Sequence, residues 1–357
     1  MNSKSNILHL ILIIFLFLLQ GCKKEKVTRD NYLDKPDCSS AFIPKAYDCQ
    51  VVGFYPSWTN DDMPIEAIPW EKLTRIVYAF AMPNKDGTIS TYELTKIQQL
   101  TDSAHAYGVE IYFSIGGAEG SYNFPAMASD AKSRSRFIKE VREYIFANCL
   151  DGVDIDWEYW SGYATNAVVP AESNALVSMV KELEEELSPF NLGISIDLGA
   201  SDWGGKHFMN EIPDYVDHLM VMSYDFTGTW SDPGPHSAYA DAIGSGNTKS
   251  STGLAYWVNY RGWPKERILL GVPFYGKDFD QGGGSLLKYS YILNQFPDAY
   301  KYDRISNIYY DGKKTMADKT QYVIDNSFSG IMIWEITQDS KVDSTSLLEA
   351  IDKVVHP

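Results

Sequence analysis

The chain has 357 residues, 45% of them hydrophobic and 14% aromatic, with a formal net charge of −16 and a pI near 4.8. Such acidity argues against nucleic acid or anionic lipid as a recognition partner, because both are gripped through basic patches. Six histidines scattered along the chain and four cysteines form no cluster of zinc spacing, so neither a metal site nor a cofactor is expected.

The chain opens with Lys4 and a hydrophobic run from Ile7 to Leu19, which at about 13 residues is too short to span a bilayer and fits the core of a signal peptide. The run ends in Leu19-Gln20-Gly21-Cys22, which resembles a bacterial lipoprotein signal, in which the cysteine becomes the lipidated first residue. That resemblance implies removal of residues 1–21, a lipid anchor on Cys22 and export to the cell envelope. Lys23 and Lys24, where inner-membrane retention usually needs an aspartate, point to the outer membrane or cell surface. Residues 22–48 read as a tether. Cys38 and Cys49 lie close together in an exported chain and suggest a small disulfide loop, a pairing that spacing alone does not fix. Cys149, at the end of an apolar helical stretch, is expected to be a buried thiol.

From residue 49 onward a short apolar or β-branched run, a polar loop and a helical pattern recur. The runs are Val51–Tyr55, Arg75–Phe80, Val109–Ser114, Gly152–Glu158, Leu192–Leu198, His218–Tyr224, Ile268–Phe274 and Gly330–Trp334. Helical stretches include Ser135–Asn148, with Phe137, Val141 and Ile145 on one stripe, and Ala171–Leu187, with Leu176, Val180, Leu183 and Leu187. Ser344–Val355 forms a last helix. Eight runs in about 310 residues predict an α/β fold, a single (β/α)8 barrel over residues 49–357 with its active site at the C-terminal strand ends. An open doubly wound sheet would want a phosphate-binding glycine turn after the first run, where Pro56-Ser57-Trp58 stands instead. Residues 276–330 should hold a hairpin turning at Tyr309-Tyr310-Asp311-Gly312 and a helix around Met316–Ile324, with no room for a large α+β insertion. A shallow, open cleft follows from that.

The fourth run carries the chemistry. Asp154, Asp156 and Glu158 alternate with Val153, Ile155 and Trp157, so an extended chain points all three carboxyls one way. Crowded like charges in a half-buried strand raise one another's pKa values, which suits a general acid at neutral pH. A calcium loop of the helix-loop-helix kind would need a central glycine and a glutamate at its twelfth position, and the run has neither.

Asp151-Gly-Val-Asp-Ile-Asp-Trp-Glu158 resembles the D-x-x-D-x-D-x-E signature of family 18 glycoside hydrolases, the chitinases and their relatives. Ser114-Ile-Gly-Gly117, Met222-Ser-Tyr-Asp225, Gly271-Val-Pro-Phe-Tyr-Gly276 and Gly330-Ile-Met-Ile-Trp334-Glu335 follow in the order that resemblance requires. It implies that Glu158 protonates the glycosidic oxygen and later activates water, while the nucleophile is the substrate's own N-acetyl carbonyl. Asp156 would orient the acetamido group, Asp154 would adjust the shared proton, and Tyr224 would hydrogen-bond the acetamido oxygen. Trp334 would floor the scissile sugar, with Met222, Asp225 and Gly117 around it and Tyr55, Phe80 and Trp58 on the cleft wall. Asp151, of opposite parity, would secure the strand start.

The chain departs from the family pattern at three places. Ala118 stands where many chitinases place a stacking aromatic, so leaving-group binding would fall to Trp160 or Trp230. Trp160 itself replaces a usual proline, and Lys277 a frequent arginine, both with local effects. The substrate implied is chitin or its oligosaccharides, cleaved at β-1,4 bonds with retention by a monomeric enzyme. The alternatives are an endo-β-N-acetylglucosaminidase acting on N-glycan cores and a lectin-like chitin-binding protein.

Overall fold

The structure, a computed structural model, describes residues 38, 42–59, 62–280 and 283–357. The expected signal peptide, the lipidation expected at Cys22 and the expected tether as far as Asp37 lie outside the described residues. Parallel strands β1 (Gln50–Pro56), β2 (Arg75–Pro83), β3 (Glu110–Gly116), β4 (Gly152–Asp156), β5 (Gly193–Gly199), β6 (His218–Met222) and β7 (Ile268–Pro273) come first. Four short strands follow, β8 (Tyr275–Asp278), β9 (Ser285–Lys288), β10 (Arg304–Ile305) and β11 (Ile308–Tyr309), then β12 (Gly330–Trp334). The parallel strands pair in sequence order, β7 pairs with β12, and β12 pairs with β1, which closes an eight-stranded barrel.

The apolar runs form strands buried on both faces because helices cover the barrel while side chains fill it. Val52, Phe54, Val77, Ala79, Tyr112, Met220, Leu269 and Met332 pack inside. Residues of the other parity, such as Val51, Ile76, Phe113, Val153 and Ile155, pack against the helices. The helix Ala131–Asn148 begins four residues before the expected Ser135, because Asp130 caps it by accepting from the Ser133 N–H at 2.8 Å. Proline at the first turn opens Pro170–Leu187, and Ser346 caps Leu347–Val355.

Two expectations are corrected. Cys38 pairs with Cys149, across 111 residues, rather than with Cys49. The segment after Cys38 lies against strand starts, with Phe42 stacked on His105 at 4.2 Å and the Lys45 N–H donating to Gly108 O at 2.9 Å. Cys149 ends its helix in a left-handed conformation (φ 54°) just before β4, within reach of that segment. Cys49 is instead the buried thiol, its pKa pushed up to about 11 by burial. Residues 42–49, assigned to the tether and the start of the domain, thus belong to the barrel.

The second correction concerns residues 275–312. A four-stranded antiparallel sheet, in the order β9–β8–β11–β10, forms here with the helix Tyr289–Gln295, in place of one hairpin. Its turn falls at Ser306-Asn307. Tyr310-Asp311-Gly312 leads into the helix Lys313–Asp325, because the buried Asp311 carboxylate accepts from Lys319 Nζ at 2.6 Å and Gly312 caps the helix.

Candidate active site

A cavity of about 680 Å³ opens at the C-terminal ends of the barrel strands. Asp156, Glu158, Asp197, Met222, Tyr224, Asp225 and Trp334 line it, with Phe54, Trp58, Phe80 and Gly117 on the wall toward β1–β3. The alternation within β4 explains its acids. Asp154 lies in register with Ser114 on β3 and Ser195 on β5, and accepts from their hydroxyls at 2.6 and 2.7 Å. One step up the strand, Asp156 is buried with Oδ1 unpartnered, and Glu158 comes next, partly open to the cavity. Ser121 Oγ pins this strand end, donating toward Asp156 O at 2.8 Å and accepting from the Glu158 N–H at 3.0 Å. Asp151 secures the strand start as expected, accepting from Ile111 N–H at 2.9 Å and lying 2.8 Å from His105 Nε2.

Burial raises the Asp154 carboxyl against the pull of its two serine donors. Burial, then the charges of Glu158 and Asp154, push Asp156 well above the ordinary carboxylate value. Burial and the charge of Asp225 push Glu158 up to about 7. A carboxyl poised there can donate a proton at neutral pH and take it back. Asp225 behaves oppositely. Burial alone would raise it, but His236 at 3.5 Å and Lys277 at 2.9 Å draw it down to about 2. These two groups and the Tyr275 hydroxyl, donating at 2.7 Å, converge on Asp225 Oδ1. The Asp225 backbone is left-handed (φ 59°), a cost tolerated where the side chain must be aimed. Lys277, expected to matter only locally, therefore joins His236 in holding down the pKa of a cavity residue.

The aromatic candidates divide by strand parity. Phe54 points into the barrel, so its neighbour Tyr55 points out; Tyr55 is buried in the strand–helix layer, its hydroxyl donating to Met63 O at 2.6 Å. It does not line the cleft, contrary to expectation. Phe80 would also point out, but a register shift in β2 between Tyr78 and Ala81 turns it into the cavity. There it stacks on Trp334 at 5.7 Å, and Phe54 meets the same indole edge-on at 5.5 Å. Gly117 (φ 82°) makes this possible, since a Cβ would come within 2.8 Å of the Phe80 ring. The Tyr224 hydroxyl, which lines the cavity, donates to Met332 Sδ at 4.0 Å, a long bond to a weak acceptor that an oxygen acceptor in the cavity would outcompete. Trp160 is buried and offers no surface to a sugar. Trp230 is 66% exposed, outside the cavity, with Lys277 Nζ 5.8 Å from its ring centroid.

Asp197 was missed. It is buried at the cavity on β5, and burial and the charges of Asp154 and Asp156 push its carboxyl well up. The group stands close enough to Asp154 for each to bear on the other's proton. The signal was present, for Ser195 and Asp197 alternate with Ile194, Ile196 and Leu198 as the acids of β4 alternate with their apolar neighbours.

A closed barrel with a carboxyl-lined cleft over its C-terminal strand ends is an architecture that glycoside hydrolases share with other barrel enzymes. Residues 50–339 match the glycosyl hydrolases family 18, and the chain belongs to that family. It is similar to the crystal structure of the family 18 chitinase ChiB from the chitin utilization locus of Flavobacterium johnsoniae, with 27% identity, TM-score 0.73, and 87% of this chain and 94% of that one covered. A chitinase from Bacteroides thetaiotaomicron is 26% identical, with TM-score 0.75 over 86% of this chain and 96% of the other. A chitinase-like effector of Moniliophthora roreri is 30% identical over 258 residues, which span 69% of this chain and 61% of the effector's length.

Proposed function

We propose that the chain is a retaining hydrolase of β-1,4 bonds in chitin or its oligosaccharides, working by substrate-assisted catalysis. The observation that carries this reading is Glu158, a cavity carboxyl raised to about 7 beside the deeper Asp156. Glu158 gives its proton to the glycosidic oxygen as the C1–O bond breaks, and the acetamido carbonyl oxygen of the same sugar closes on C1 to form an oxazolinium ion. Asp156 orients the acetamido N–H and faces the developing positive charge, with Asp154 below it adjusting the shared proton. The Tyr224 hydroxyl donates to the acetamido oxygen. Glu158, now a carboxylate, takes a proton from water, which opens the ring at C1 and restores the acetamido group with retained configuration. Trp334 floors the sugar, with Met222, Asp225 and Gly117 around it.

A second reading is a sugar-binding protein without turnover, kept because one relative is described as chitinase-like and an effector rather than as a chitinase. Chitooligosaccharides incubated with the wild type and Glu158→Gln separate the two. Hydrolysis by the wild type, lost about 10²–10⁴-fold in the variant while sugar binding persists, supports the enzyme. Binding without turnover in both supports the lectin. Release of intact glycans from a glycoprotein, with chitin oligomers untouched, supports an N-glycan substrate. We further propose a monomeric enzyme anchored to the cell envelope by lipid on Cys22, read from the Leu19-Gln20-Gly21-Cys22 box. Labelling with an alkynyl fatty acid, lost in Cys22→Ala, tests the anchor.

A further inference from the structure

The β4–β5 ladder pairs Asp154 with Ser195, and strand parity puts Asp197, two residues further on, at the level of Asp156 and on the same inner face. Asp197 is 2% exposed and borders the cavity. Four titratable groups face it. Asp154, Asp156 and Glu158 do so from β4 and its end, and Tyr224 from just beyond β6, its hydroxyl raised by burial and then by the charge of Asp197. The nearby cations are engaged elsewhere. Lys277 and His236 hold Asp225, and Arg75, which bears on Asp154 from the opposite end of the barrel interior, pairs with Glu110.

Three buried carboxyls without a counter-ion cannot all be charged. They differ in how well each receives a negative charge. Among the described residues Asp154 alone of the three accepts from side-chain hydroxyls, those of Ser114 and Ser195 at 2.6 and 2.7 Å, so the anion is best placed there. Asp197 lies within hydrogen-bonding reach of Asp154, and two carboxyls bond to each other only when one of them keeps a proton. Burial, and after it the charges of Asp154 and Asp156, raise Asp197 well above the ordinary carboxylate value, which leaves that proton on Asp197.

We propose that Asp197 is a positioning residue of the reaction, whose protonated carboxyl donates to Asp154 and holds that group as the single anion of the cluster before substrate binds. Three carboxyls then share two protons and one negative charge. When Asp156 takes the acetamido N–H of the sugar, its proton passes to Asp154 and the charge passes the other way, while the proton of Asp197 stays in place. No proton enters or leaves the cluster. This role rests on the hydrolase reading above, whereas the proton on Asp197 does not depend on it.

The acidic limb of kcat/KM on a soluble chitooligosaccharide reports the ionisation that creates this anion in the free enzyme. Asp197→Ala removes the donor, so the limb should move to higher pH by about one unit. Asp197→Asn, whose amide N–H still donates, should keep the limb near its wild-type position even though turnover is lower. A move to lower pH in Asp197→Ala would mean that Asp197 is itself ionised, and an unmoved limb that it only fills space; either result overturns the proposal. An equal shift in both variants overturns it too. Absence of turnover in the wild type counts against the hydrolase reading alone. Infrared difference spectra between the wild type and Asp197→Asn near neutral pH then judge Asp197 directly, as they do if the alanine variant does not fold. Loss of a protonated-carboxyl C=O band upholds the proposal, and loss of a carboxylate band overturns it.

Discussion

The two ends of the barrel interior bury charge in opposite ways. At the N-terminal end Arg75, 1% exposed, donates twice to Glu110 Oε2, at 2.6 and 3.0 Å. Its guanidinium lies 4.0 Å above the Tyr112 ring and 3.2 Å from His218 Nδ1. At the C-terminal end Asp154, Asp156 and Asp197 are buried beside one another, and among the described residues no salt bridge reaches any of them. Asp156 retains an unpartnered oxygen among the described residues. A charge buried against its counter-charge reads as structural, whereas like charges buried together are tolerated because chemistry uses them.

Substitutions at the two ends should therefore separate stability from turnover. Arg75→Met strands Glu110 beside a buried site and is expected to cost about 3–5 kcal/mol in urea unfolding, with kcat of the folded fraction unchanged. A normal unfolding midpoint would dissolve the contrast. Replacing both Cys38 and Cys149 by serine frees a long loop at the same end and should cost about 2–4 kcal/mol, again without a change in kcat. The smallest effect has the opposite sign. The raised Asp197 carboxyl weakens the fold as pH climbs above the ordinary carboxylate value and the group is forced to ionise. Asp197→Asn removes this, so it should stabilise by on the order of 1 kcal/mol, more at pH 8 than at pH 4, while turnover falls. Equal midpoints at both pH values would show that Asp197 carries no such penalty.

Much of this contrast is legible in the residues themselves. Period-two alternation marks Asp154, Asp156 and Glu158 as one face, and the eight apolar runs coincide with the barrel strands to within a few residues. The same rule, followed strictly, places Tyr55 outside, but it fails for Phe80, because a bulge alters parity without a local sequence mark. Asp197 stands in a visible alternation, yet a single acid beside one serine lacks the crowding that singles out β4. The convergence of His236, Tyr275 and Lys277 on Asp225 joins the segment after β6 to strand β8, some 50 residues on, and only the fold brings them together. The disulfide was misjudged because nearness along the chain says little about a segment that crosses to another strand start.

The central claim is that burial and, after it, the charge of Asp225 keep Glu158 protonated near neutrality. It is tested most directly by the pH dependence of kcat/KM on a soluble chitooligosaccharide, for the wild type and Asp225→Asn. The wild type should lose activity as pH rises through about 7, where the acid ionises, and the limb should move to lower pH in the variant, because the charge opposing ionisation is gone. A wild-type limb at the ordinary value of 4.5, or limbs that coincide in the two proteins, would contradict it.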